Sequence, residues 1–344
     1  MTEPTTEPMT EPTTWSARGG HALRVAAVFS AFRPDAELVE HCASVAPQVS
    51  QVIVVDDGSG DSAEPVLQRL EQAGVLVVRH DENLGIGAAM NTGIAAAEKA
   101  GAEFVLTFDQ DSQVPSGFVE ALVNEFDRAS AAGLEVGMVC PEFFSATPQT
   151  RTGPEADPGL QAKAIEAYAP IQSGLLMPTA AIRAIGPQRA DYFIDLIDTE
   201  YYLRARRAGY AAVCAPGLVL PHGFGHRLYV HALGRRLLRD DGRPRVVSVS
   251  SPFRYYYRAR NRVVLNREYG RDPGVEALLA RDARHDLLPD FAVALYSARG
   301  ALRLLSLLLA GWRDGRRGRL GRMPGRLARR AAGISWRHPV KESP

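Results

Sequence analysis

A strand-and-loop unit that returns at almost the same interval constrains this chain more than any other feature. Val52-Ile53-Val54-Val55 runs into Asp56-Asp57-Gly58-Ser59. Val75-Leu76-Val77-Val78 leads, after Arg79 and His80, into Asp81-Glu82-Asn83-Leu84-Gly85. Phe104-Val105-Leu106-Thr107-Phe108 ends in Asp109-Gln110-Asp111-Ser112. Asp56, Asn83 and Asp109 stand 27 and 26 residues apart, which fits one strand plus one crossover helix per step. The intervening segments read as helices: Glu64 to Ala73 spaces Val66, Leu67 and Leu70 along one face, and Ile86 to Ala100 is rich in alanine. Such units build a parallel sheet whose carboxyl ends open on one rim, the place where open α/β sheets bind ligands. Val25 to Phe29, ending in Ser30-Ala31-Phe32, predicts a first strand and a fourth loop on the same rim.

The loop after Phe108 carries the most specific chemistry. Residues i and i+2 of an extended segment share a side, so Asp109 and Asp111 can converge on one hard cation or divide between a cation and a ribose hydroxyl. Mg²⁺ and Mn²⁺ take such oxygen ligands, with substrate phosphates completing the shell. Taken alone, the pair also suits a solvated turn. Asp56 can equally brace its own loop, and Asn83 and Asn91 can cap helices.

At 344 residues the chain can bury a large core, and one α/β domain with an appended region is the simplest division. Its 40 basic and 39 acidic residues balance, so composition gives no reason to expect nucleic acid. Cys42, Cys140 and Cys214 are too far apart in sequence for a zinc motif or a disulfide framework, and read as small core residues in a reducing cytoplasm. Met1 to Thr14 repeats Thr-Glu-Pro with small variations, and residues 1–22 predict a disordered tail that has neither the basic start nor the apolar run of a secretory signal. The apolar stretch Ala301 to Trp312 contains Arg303 and is too short to span a bilayer. From Arg299 to Arg337, eleven arginines stand against one acid, Asp314. A leucine-rich helix with that flank suits peripheral contact with the inner face of the cell membrane, or a helix docked on the catalytic domain with a solvated tail.

The order Val28-Phe29-Ser30, then Val54 to Ser59, then Asn83-Leu84-Gly85-Ile86-Gly87 to Gly93, then Phe108 to Ser112, resembles glycosyltransferase family 2. The last two stretches most resemble its rhamnosyltransferase-type branch, and the resemblance extends through Phe193–Gly209 to Asn261. It implies an α/β fold of the GT-A nucleotide-sugar-binding type, with a mostly parallel central sheet over residues 23–230. The nucleotide-binding half would take 23–115 and the acceptor half 116–230, followed by a helical, arginine-rich region over 231–344.

The same resemblance implies the site. Ser30 and Asp57 would meet the nucleotide base, Asp57 accepting the imide hydrogen of uracil or thymine, with Asn83, Gly85 and Asn91 beside the donor. Asp111 would hold a divalent metal, Mg²⁺ or Mn²⁺, with Asp109 on the ribose or the metal. His222, favoured over His226, would be a further metal or diphosphate ligand. Gln172 to Met177 predicts a strand with a small-residue entrance for a sugar. In Asp191-Tyr192-Phe193-Ile194-Asp195-Leu196-Ile197-Asp198-Thr199-Glu200, alignment with the family pattern puts the acceptor-deprotonating base on Asp198, with Asp195 and Glu200 as alternatives. Ile197 departs from the glutamate that many members carry there. Arg260 and Asn261, in an Arg/Tyr-rich helix, complete the expected donor-binding set.

The implied activity is inverting transfer of a sugar, L-rhamnose from dTDP-rhamnose in the leading reading, to a hydroxyl of a surface glycan or polyprenyl-linked acceptor. Galactofuranose or another hexose, and UDP as the nucleotide, remain alternatives. Three readings of other kinds compete. A haloacid dehalogenase-type phosphatase also uses Asp-x-Asp after a strand, but near the start of its domain and without Gln113. A dinucleotide oxidoreductase is suggested by Gly85-Ile86-Gly87, yet Met90 fills the third glycine position. A non-catalytic carbohydrate-binding protein would not need the full acidic set.

Overall fold

The computed structural model describes residues 24–150, 157–221, 225–232 and 235–340. The expected tail, 1–22, lies outside the described residues, as does His222. Strands β1 (Val25–Ala31), β2 (Gln51–Asp56), β3 (Leu76–Arg79) and β4 (Phe104–Asp109) alternate with helices α1 (Glu37–Val45), α2 (Glu64–Gln72) and α3 (Ile86–Lys99). Next come α4 (Phe118–Ala131), β5 (Val136–Phe144), β6 (Thr147–Pro148), α5 (Pro158–Gln161) and β7 (Leu175–Pro178). Helices α6 (Thr179–Ile185) and α7 (Ile197–Arg207) then lead to β8 (Ala211–Leu220). The sheet runs β3-β2-β1-β4-β7-β5-β6, with β8 paired to β5. Strands β1 to β4 are parallel, as the interval between their loops predicts, and β7 enters antiparallel between β4 and β5.

Burial on both faces explains the unbroken apolar runs of the central strands. In β1, Val25, Ala27 and Phe29 pack with Leu38, Leu67 and Phe118 of α1, α2 and α4. Ala26 and Val28 point the other way and pack with Ala89, Met90 and Ile94 of α3. This two-residue alternation fixes the register, because a one-residue slip would exchange the two cores. Cys42, Cys140 and Cys214 are buried and free, in keeping with their reading as core residues.

The region expected to be helical from 231 begins instead with short antiparallel strand pairs, His231–Ala232 with Arg235–Arg236 and Val246–Val249 with His226–Tyr229, and helices follow: α8 (Arg254–Tyr269), α9 (Val275–Asp282), α10 (Leu288–Ser297), α11 (Ala301–Arg316) and α12 (Gly325–Ala332). Helix α8 joins it to the sheet. Its Val264, Leu265 and Tyr269 belong to the core beneath α3 and α7, whereas Tyr255, Tyr256 and Tyr257 build a separate core with Leu304, Leu307 and Leu327. Among the described residues no helix is long and apolar enough to cross a membrane.

Candidate active site

The carboxyl ends of β1, β2 and β4 bring the predicted loops together. Ser30 stands opposite Asp109 across the β1–β4 pair, and Ala31 opposite Asp56 across β1–β2. Asp56 does brace its loop: its carboxylate accepts hydrogen bonds from the Ser59 hydroxyl and, at 3.1 Å, from the Ser59 backbone N–H. Asp57 ties two loops together. It accepts from the N–H groups of Leu84 (2.9 Å) and Gly85 (2.8 Å) and faces His80 Nδ1 at 2.9 Å. A carboxylate has about four acceptor positions, so Asp57 keeps one for a ligand donor. Asn83 Oδ1 is buried with no hydrogen-bond partner among the described residues, which leaves an acceptor on the same loop.

Two expected ligand contacts are corrected by this packing. Gly85 has φ +92°, and a Cβ there would sit 2.5 Å from the Phe193 carbonyl oxygen, which accepts the Ile86 N–H at 2.8 Å. The glycine therefore lets the segment before α7 close on the N-terminus of α3, and it is buried against protein. Asn91 does not cap a helix. From within α3 it exchanges two hydrogen bonds with the Gln188 backbone, at 2.8 and 2.9 Å.

The acids converge from separate elements. Asp109 is pushed up to about 7 by burial first, then by the charge of Asp111 against the opposing pull of Arg254, with Asp198 adding to the rise. Asp109 and Asp111 at the end of β4, Asp198 in the first turn of α7 and Arg254 at the start of α8 thus act on one another electrostatically. Asp111 is exposed to the rim.

The three candidate bases separate cleanly. Asp195 is clamped by Arg254 at 2.6 Å and Arg258 at 3.2 Å. Burial pushes its carboxyl up, but these two guanidiniums win and hold it below the usual aspartate range. Glu200 is buried, bonded to Arg204 at 2.9 and 3.0 Å and to the Tyr269 hydroxyl at 2.6 Å. Both alternatives are thereby occupied by structural partners. Among the described residues, Asp198 is hydrogen-bonded only within Thr199, by the backbone N–H at 2.8 Å and the hydroxyl at 3.5 Å. Burial raises its pKa, against the lowering effect of that N–H.

Arg260 and Asn261 also need correction. Both are fully buried, and their donors are spent on main-chain carbonyls: Arg260 on Tyr192 and Gly321, Asn261 on Tyr192, Ile194 and Asp195. They brace the segment before α7 and do not reach a donor. The arginines that do face the acids are Arg254 and Arg258, which the sequence reading passed over. Their spacing of four residues puts them on one face of α8, and Arg260 falls on another. That spacing was the signal available.

The donor set fits a hard divalent cation. Mg²⁺ and Mn²⁺ in nucleotide sites need only one or two carboxylates, the rest of the shell coming from phosphates and water. Asp109 and Asp111 supply two, at the end of β4. Among the described residues no group of three or more His, Cys, Asp or Glu side chains forms a site complete in itself. His226 is exposed, with Nε2 3.4 Å from the Ser251 hydroxyl.

Residues 35–182 match the model of glycosyl transferase family 2. The chain is 27% identical over 228 residues to the dTDP-rhamnosyl transferase RfbF of Shigella flexneri, which covers 63% of this chain and 71% of the relative. A UDP-N-acetylglucosamine–dolichyl-phosphate N-acetylglucosaminyltransferase of Methanococcus voltae is 33% identical over 76 residues, 18% of this chain and 30% of that one. Among solved structures, S. aureus TarS 1–349 in complex with UDP-GlcNAc superimposes with a TM-score of 0.53 at 14% identity, covering 89% of this chain and 83% of that one. Residues 35–182 thus correspond to a glycosyltransferase family 2 domain, and the chain has a GT-A-type fold.

Proposed function

We propose that this protein is an inverting glycosyltransferase that moves L-rhamnose from dTDP-rhamnose to a hydroxyl of a surface glycan or lipid-linked acceptor. The observation that carries the reading is the convergence of Asp109, Asp111 and Asp198 with Arg254 on the carboxyl rim of the sheet. Support for the donor comes from the likeness to a dTDP-rhamnosyl transferase. Asp57 and Asn83 offer acceptors for a pyrimidine imide, and Ser30 lies beside Asp109 on the neighbouring strand. Arg254 pairs with Asp195 through Nε and Nη2, and its 37% exposed side chain can meet a diphosphate oxygen. A divalent cation bound at Asp109 and Asp111 would offset the charge that builds on the departing diphosphate. Asp198 takes the acceptor proton as the acceptor oxygen attacks the anomeric carbon opposite the diphosphate, and one displacement inverts that centre.

Calorimetric titration with dTDP and UDP, with and without Mn²⁺ or Mg²⁺ and with ADP as control, tests the reading. Metal-dependent binding of a pyrimidine diphosphate is expected, and Asp111→Ala should lose the metal dependence. Equal binding of ADP, or an Asp111→Ala protein that binds as before with Mn²⁺, would overturn the assignment.

The pH profile gives a second test. A base works only when deprotonated, and burial makes Asp198 hold its proton to higher pH than an exposed aspartate. Transfer should therefore fall away on acidification at a pH above the ordinary aspartate value, about 3.9. A profile flat down to that value would remove Asp198 from the role.

A further inference from the structure

Helix α11 is apolar on both of its sides. Leu304, Leu307 and Leu308 are buried against the C-terminal core, and Gly311 brings α11 to backbone contact with α8, since a Cβ there would lie 2.2 Å from the Tyr256 carbonyl oxygen. On the opposite side Leu302, Leu305, Leu309 and Trp312 recur at three, four and three residues and form one stripe. They are 82%, 39%, 58% and 48% exposed. A groove of about 360 Å³ walled by Ala259, Val263, Leu287, Phe291, Leu309 and Trp312 runs from this stripe to α8, and Leu288 of α10 is 60% exposed.

Charge decides what covers this face. All eleven arginines between Arg299 and Arg337 are exposed, while the one acid in that stretch, Asp314, is buried, accepts the Tyr256 hydroxyl at 3.0 Å and lies 3.7 Å from Arg313 Nε, which leaves ten arginines with no acid of this stretch beside them. Arg313 and Arg316 lie on the stripe's own side of α11, and Arg316 sits 4.8 Å above the Trp312 ring. Acids of the neighbouring helices do not cancel this charge: Asp282 is bonded to Arg262 and Asp290 to Arg258, leaving Asp286 next to Arg284 in the chain. A second copy docked symmetrically would set arginine against arginine, which opposes association. An anionic lipid surface complements both the leucines and the guanidiniums, and tryptophan favours the boundary between hydrocarbon and headgroup.

We propose that this face of α11 docks on an anionic phospholipid bilayer. Leu302, Leu305, Leu309 and Trp312 enter the headgroup boundary, and the arginine field, led by Arg313 and Arg316, meets lipid phosphates. The groove beside Trp312 receives part of an acyl chain. The acidic site and this face share α8: Arg254 at its start belongs to the site and Ala259 to the groove wall, about 8 Å of helical rise apart.

Sedimentation of the full chain with vesicles tests the proposal without reference to sugar transfer. Binding is expected to vesicles of phosphatidylcholine mixed with phosphatidylglycerol, to be weak for phosphatidylcholine alone, and to fall with added salt. Leu302→Glu/Leu309→Glu should lower vesicle affinity by roughly tenfold or more, with thermal midpoint and nucleotide-diphosphate binding unchanged. Arg313→Glu/Arg316→Glu should weaken binding to the anionic vesicles selectively. Failure of the unaltered chain to bind anionic vesicles, or binding indifferent to the leucine replacements, would overturn the proposal. So would a dimer in sedimentation velocity, without lipid, that the leucine replacements abolish.

Discussion

Asp198→Asn is expected to lower kcat for sugar transfer by about 10²–10⁴-fold, the usual contribution of a positioned general base, while metal-dependent dTDP or UDP binding is retained. The amide has nearly the same shape, and its oxygen can still accept the Thr199 N–H that Asp198 accepts at 2.8 Å. What it lacks is the capacity to take a proton from the acceptor. The contrast with the neighbouring acids makes the test specific. Asp195→Asn removes the charged partner of Arg254 and one of the two carboxylates on Arg258, which keeps Asp290, and Glu200→Gln weakens a buried pair with Arg204. Those changes should reduce folding stability together with activity, because a buried ion pair that loses one partner leaves an uncompensated charge. Asp198→Asn should change activity alone. Retained transfer in Asp198→Asn, with transfer lost in Asp195→Asn at unchanged stability, would move the base to Asp195. Loss of transfer with retained nucleotide binding also separates an enzyme from a carbohydrate-binding protein.

Elements whose environment is local were legible in the sequence. The strands of the parallel half show themselves as apolar runs because each is buried on both faces, and their acidic ends read as a rim because parallel crossovers leave no other place for them. Asp109 and Asp111 follow from the same logic. Legibility ends where a residue's partner lies far along the chain. Three acids stand within six positions before and inside α7, and sequence spacing cannot rank them. Arg254 and Arg258, about sixty residues away on α8, pair with Asp195, and Tyr269 with Arg204 holds Glu200. Gly85 is opaque for a related reason. Nothing in the sequence around it shows that Phe193, about a hundred residues on, packs against it. In sequence, a buried arginine satisfied by main-chain carbonyls, as Arg260 is, looks no different from one that faces a carboxylate, as Arg254 does.

The second large effect should come from Asn261→Leu. Phe193, Asp195 and Leu196 have φ values of +65°, +67° and +62°, so three non-glycine residues within four positions occupy the left-handed region. Each costs of order 1–3 kcal/mol and persists only where surrounding contacts force it. Asn261 provides that force. Its Nδ2 donates to the carbonyls of Tyr192, Ile194 and Asp195 at 3.1, 2.9 and 2.8 Å, and its Oδ1 accepts Arg260 Nε at 2.9 Å, orienting the guanidinium that holds Tyr192 from the other side. Leucine has similar volume but no donor, so the Ile194 and Asp195 carbonyls and Arg260 Nε lose this partner at once, while the Tyr192 carbonyl keeps Arg260 Nη2. A loss of about 3 kcal/mol is expected, since each buried polar group left unsatisfied costs about 1–3 kcal/mol, read as a lower urea midpoint at constant slope. Above that stability limit, transfer should fall more than nucleotide binding. The segment that relaxes carries Asp195 and sets the first turn of α7, and with it Asp198, while Asp57 and Asn83 are held by loops of the parallel half. An unchanged midpoint would mean that the left-handed turn holds itself and that Asn261 merely fills space. A lowered midpoint with transfer and binding reduced in equal proportion would mean that the strain serves the fold as a whole and has no special bearing on Asp198.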